Sequence, residues 1–154
     1  MAWRAFSQAH SSVIVELERE MQEHQGLPLI WYDILANLER APNYRLRMKA
    51  LADSILLSRS GLTRLLDRMA AAGLVIREPC LEDLRDTYVS LTDRGRHALV
   101  NAAPGREAGI ERHFLDRLSD DDIETLLLAF GKVSDTSKIQ PLNGPVSEPL
   151  GLQI

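Results

Sequence analysis

The chain has 154 residues, 45% of them hydrophobic, with 18 Lys and Arg against 22 Asp and Glu and a single cysteine. That length and balance suit one soluble globular domain with an ordinary core, and they exclude a disordered, collagen-like or disulfide-stapled chain. The net charge of −4 is uneven: residues 43–97 hold ten Lys/Arg against seven Asp/Glu, a surplus of three, which leaves −7 for the two flanks.

Phe6, Val13, Ile14, Leu17 and Met21 recur near a 3.6-residue period and predict an amphipathic first helix ending near Gly26. Pro28 suits the first turn of a second helix, with an apolar face of Ile30, Trp31, Ile34, Leu35 and Leu38, stopped by Ala41-Pro42-Asn43. Arg45-Leu46-Arg47 is too short for more than a strand stub. A compact third helix follows over 48–55. Ser58 is a good N-cap for a fourth, whose Leu62, Leu65, Leu66, Met69 and Ala70 share one face and whose C′ position fits Gly73. Residues 74–77 and 87–91 are β-prone and flank a polar loop, 78–86, longer than a tight hairpin needs. Thr92 caps a fifth helix in which Pro104-Gly105 interrupts the pattern and predicts a bend before Ile110, Phe114 and Leu115. Ser119-Asp120-Asp121-Asp122 is a capping box for a sixth helix through Ile123, Leu126, Leu127 and Phe130. Residues 134–154, with three prolines, form an unassigned tail.

Two short helices joined by a turn and followed by a two-stranded wing make a winged helix-turn-helix, so the fold class is mainly α with a small β-wing. On the fourth helix the apolar stripe faces the core, and Ser60, Thr63, Arg64 and Arg68 project away from it, with Ser58 and Arg59 at the N-terminal turn. A helix about 10–12 Å across fits a major groove about 12 Å wide, where Arg64 can fork onto guanine and the hydroxyls can bond base edges or phosphate. The same groups also suit the solvated face of an ordinary amphipathic helix. In the loop, Arg85 can enter a narrow minor groove while Asp83 steadies the hairpin through Arg77; a plain surface ion pair among these three is the alternative.

Leu51-Ala52-Asp53, the run from Leu57-Ser58-Arg59 to Asp67-Arg68-Met69, Ala72-Gly73-Leu74-Val75, Asp83-Leu84-Arg85 and Val89-Ser90-Leu91-Thr92-Asp93-Arg94-Gly95 together resemble the MarR (multiple antibiotic resistance regulator) family. The resemblance covers most of residues 27–133. It implies a homodimer, most often a repressor, with one MarR-like domain over 1–133, in which 1–26 and 93–133 supply dimerisation helices and 27–92 the DNA-binding lobe. The flanking helices agree, since they carry more apolar surface than a small winged lobe can cover. The partner expected is double-stranded DNA with a pseudo-palindromic site. The family likeness also implies a small aromatic or phenolic effector held between platform and lobe, for which His10, Met21, Trp31, Tyr32 and Arg47 are the candidates; core or interface packing is the alternative for Trp31 and Tyr32.

Other classes find less support. The apolar runs at 27–32 and 126–130 fall far short of the roughly 20 residues that span a bilayer, and the N-terminus has no signal-like pattern, so the expected location is cytoplasmic. His10, His24, His97 and His113 are dispersed, which argues against a metal, and Cys80 reads as a plain free thiol. No nucleophile elbow, zinc-hydrolase or phosphate-loop motif marks an enzyme, and no cofactor is expected. The rival to DNA binding is a winged helix used as a protein-interaction module.

Overall fold

The computed structural model describes residues 1–55, 57–80 and 86–133. Helix α1 (Ala2–Glu20) passes into a π-helical turn, Met21–Gln25, and stops at Gly26, whose φ of 62° is left-handed. Pro28 stands one residue ahead of α2 (Leu29–Arg40) rather than inside its first turn; its carbonyl accepts from the Trp31 and Tyr32 amides at 2.9 and 3.1 Å. The free Leu29 N–H at this helix start donates to the Glu18 carboxylate of α1 at 2.8 Å, so one helix caps the next.

A 3-10 turn, Pro42–Tyr44, leads into β1 (Arg45–Arg47), then α3 (Met48–Ser54) and α4 (Arg59–Ala71). Strands β2 (Val75–Pro79) and β3 (Thr87–Leu91) form the expected antiparallel hairpin. Residues 45–47 are the expected short strand. They pair antiparallel with the other edge of β3, Leu46 opposite Val89, giving a sheet of order β1-β3-β2. Three residues carry no usable periodicity; it is the open edge of β3 that selects them.

Helix α5 (Asp93–His113) begins at Thr92, whose hydroxyl accepts from Gly95 N–H at 2.9 Å and donates to the carbonyls of Gly73 and Leu74. At Pro104-Gly105, where a bend is expected, α5 runs on as one element with Pro104 inside it. Pro104 and Val100 lie on the exposed side, so the carbonyl that loses its partner faces water. On the packed side Gly105 admits Gln25 of the π-helical turn and Gly109 admits α1, a Cβ at 109 falling 2.7 Å from Leu17 Cδ2. After a 3-10 turn, Leu115–Arg117, α6 (Asp120–Val133) opens on the expected box: Ser119 N–H donates to Asp122 at 3.0 Å and Asp122 N–H returns to Ser119 Oγ at 3.2 Å.

One core joins these elements. Ile34, Leu35 and Leu38 of α2, Leu51 of α3, Leu62, Leu66 and Met69 of α4, Val89 of β3 and Leu99 of α5 are almost wholly buried. Burying each such side chain contributes roughly 1.5–3 kcal/mol. By contrast α6 buries no residue, and Leu127, Leu128, Phe130 and Val133 lie exposed. Among the described residues no helix is long and apolar enough to cross a membrane.

Candidate nucleic-acid interface

Everything on α4 follows from its buried stripe. Because Leu62, Leu66 and Met69 are fixed in the core, Ser60, Arg64, Asp67 and Arg68 stand exposed on the opposite side, with Thr63 half-buried at the margin. Ser58 caps the helix: its Oγ accepts from Gly61 N–H at 3.2 Å and lies 3.3 Å from Ser60 Oγ. The remaining first-turn amides point outward, a setting that favours an anion. Two exposed arginines one turn apart, Arg64 and Arg68, follow the capped start along the outer face of α4.

Arg77 has a neighbour on α4. It is half-buried on β2 and ion-paired to Asp67 of α4, with its Nε enclosed and without a hydrogen-bond partner. The pair ties the root of the wing to the outer face of α4. Asp83 and Arg85, at the proposed wing tip, lie outside the described residues. The root itself is closed by Cys80 N–H donating to the Asp86 carbonyl at 3.1 Å and by Thr87 N–H donating to the Asp86 side chain at 2.9 Å.

A family model described as the MarR family matches residues 25–86. The solved structure of AbsC, a MarR family transcriptional regulator from Streptomyces coelicolor, superimposes with a TM-score of 0.79 at 33% identity, over 89% of this chain and 92% of that one. The chain belongs to the MarR family. A second MarR family regulator of that organism, Sco3205 in complex with DNA, gives a TM-score of 0.80 at 31% identity, over 88% of this chain and 84% of that one. Among curated regulators, PecS of Dickeya dadantii is 34% identical over 104 residues, a stretch spanning 66% of this chain and 61% of PecS. The protein is a MarR-family transcriptional regulator.

The five effector candidates of this MarR-family chain have separate surroundings. Trp31 lines an open cleft of about 300 Å³ with Gln25, Leu27, Leu74, Arg94 and Asn101, and His10, Met21, Tyr32 and Arg47 do not. Met21 is core. Tyr32 is buried beneath the Arg106 guanidinium, 5.0 Å from its ring centroid, and burial pushes its hydroxyl pKa up. His10 lies beside Phe6 near the start of α1. Arg47 belongs to the outer face of the sheet, where its Nε donates to Tyr88 Oη at 3.3 Å and Nη1 is 3.9 Å from Asp86.

Sequence reading missed three groupings. Arg45 lies over the Tyr88 ring at 4.6 Å beside Arg47, a pairing made only once β1 joins the sheet. Arg106 is nine-tenths buried with an unpartnered Nε, and its signal in the sequence, a base on the apolar side of α5, is visible only in a helix that continues through Pro104. Arg96 reaches across to Glu39 and Tyr44, a contact between residues far apart in sequence. Cys80 is fully enclosed, the environment of an inert thiol rather than a reactive one. Among the described residues no group of three or more His, Cys, Asp and Glu is placed to hold a metal.

Proposed function

We propose that this regulator is a homodimeric repressor that binds a pseudo-palindromic duplex operator in the cytoplasm, with residues 27–92 as the reading lobe and 1–26 and 93–133 as the dimerising part. The observation that carries the reading is the outer face of α4, where Ser58 caps the helix and Arg64 and Arg68 stand exposed behind Ser60. In the major groove Arg64 reads a guanine edge, and Ser58, Arg59, Ser60, Thr63 and Arg68 bond phosphates and base edges. Arg85 enters the minor groove and Asp83 steadies the loop. Arg77, committed to Asp67, acts by holding the wing against α4. The crystal structure of Sco3205 with DNA supports DNA as the partner. The second copy is supported by α6, an amphipathic helix without a buried residue, whose Phe130 meets Phe6 of α1 edge-on at 5.5 Å. A small aromatic or phenolic effector fits the cleft walled by Trp31, with Arg94, Gln25 and Asn101 for its polar atoms.

The test is a salt titration of duplex affinity. Arg64→Ala is expected to lose about 1–3 kcal/mol of discrimination against a changed base at its position, whereas Arg85→Ala lowers the log–log salt slope by about one. If both variants keep the wild-type discrimination and slope, the winged helix is a protein-docking module instead.

A further inference from the structure

Within the 27–92 lobe, the part made of β1, α3, α4, β2 and β3 is entered through the turn Ala41–Tyr44 from α2 and left through Thr92 into α5, and α2 packs on it through Ile34, Leu35 and Leu38. One side chain grips both. Arg96 sits one turn into α5, its amide bonded to the Thr92 carbonyl at 2.9 Å. Its guanidinium lies 3.0 Å from Glu39 Oε1 on the last turns of α2, and 5.1 Å from the ring centroid of Tyr44. Glu39 is 8% exposed and its other oxygen is buried without a partner, so this carboxylate has Arg96 as its counter-charge.

The turn that Arg96 holds is strained. Asn43 and Tyr44 both have left-handed backbone, at φ 57° and 55°, without being glycine. A tyrosine adopts that region only where its surroundings hold it, and here the stacked guanidinium and the Tyr44 N–H bond to the Ala41 carbonyl at 2.9 Å do so. The strain sits where α2 hands over to the reading body, and a small rotation there carries α4 with it.

We infer that Arg96 is a positioning residue for operator reading: the Glu39–Arg96–Tyr44 latch fixes the angle at which the reading body hangs from α2 and α5, and with it the half-site spacing the dimer accepts. This rests on the dimeric DNA-reading function proposed above. Two-fold readers meet half-sites about one helical turn, near 34 Å, apart, so a fixed lobe angle becomes a preferred spacer length. Arg96 touches no base, and its loss leaves the half-site sequence unchanged.

The test measures affinity for duplexes with the selected half-sites and spacers varied one base pair at a time, using full-length protein. Wild type is expected to prefer one spacing by about tenfold over its neighbours, and Arg96→Met and Tyr44→Gly to cut that preference to about threefold or less with the same half-site consensus. Tyr44→Phe keeps the ring and the preference. Tyr44→Gly spares the buried ion pair and relieves the turn, so it remains folded even if Arg96→Met does not. An unchanged spacing profile in Tyr44→Gly overturns the inference, and so does a changed half-site consensus. A readout without DNA separates this from failure of the DNA-binding reading: the spin-label distance between two copies of Ala71→Cys, in a Cys80→Ala background, is narrow with Tyr44 present and broad in Tyr44→Gly. Equal widths contradict the latch even if wild type selects no duplex.

Discussion

At the scale of single residues, Gly95 and Glu20 carry sharp expectations. A Cβ at Gly95 would lie 2.1 Å from the Leu74 carbonyl oxygen, the same oxygen that accepts from the Thr92 amide and hydroxyl. Gly95→Ala must push the first turn of α5 off the β2 root, and it is expected to cost about 1–3 kcal/mol or more. Urea unfolding checks this as a lower midpoint at unchanged slope. Glu20 joins α1 to α5, accepting from Arg112 Nη1 at 2.8 Å and bonded to His113 Nε2 at 2.9 Å. The His113 bond, aided by Arg112, holds its carboxyl below the usual range. A lowered folded-state pKa stabilises the fold above the ordinary carboxylate range, and that contribution disappears as pH falls through the lowered value. Glu20→Gln is therefore expected to flatten the acid limb of a stability–pH profile while leaving its alkaline limb unchanged; identical limbs in both proteins would remove Glu20 from the account.

At the scale of elements, helix starts were legible because caps are local chemistry. Ser58, Thr92 and Ser119 each bond the amide three residues on, as their positions before apolar runs predict. Ser58→Ala is expected to cost about 1 kcal/mol in thermal or urea unfolding. If α4 is the reading helix, duplex affinity falls with it. The two strands of the wing were legible from β-branched residues between turns. What escaped were features decided by distant partners: the pairing of β1 depends on the free edge of β3, and the close approach at Gly105 and Gly109 depends on Gln25 and Leu17 reaching α5. The π turn at Met21–Gln25 leaves no trace in apolar spacing. Of the interface, the outward face of α4 could be read from the stripe opposite it, but the Asp67–Arg77 pair could not, since it needs the wing to fold back on the helix.

At the scale of the molecule, the uneven charge and the uncovered helices belong together. The +3 segment, 43–97, contains the reading body, whereas the flanks carry −7 and the exposed apolar residues of α1 and α6. In the proposed dimer, a second copy covering Phe6, Leu127 and Phe130 would bring two basic lobes to one side and keep the acidic helices away from phosphate. Leu127→Glu with Phe130→Glu is expected to convert dimer to monomer in sedimentation and to lose binding to a two-half-site duplex. The most direct measurement is selection from random duplex DNA by the wild-type protein and by Arg64→Ala in parallel. The account predicts an inverted repeat with half-sites about one helical turn apart for the wild type, and loss of preference at one symmetric base pair in each half-site for the variant. No enriched duplex, or the same consensus from both proteins, would contradict it.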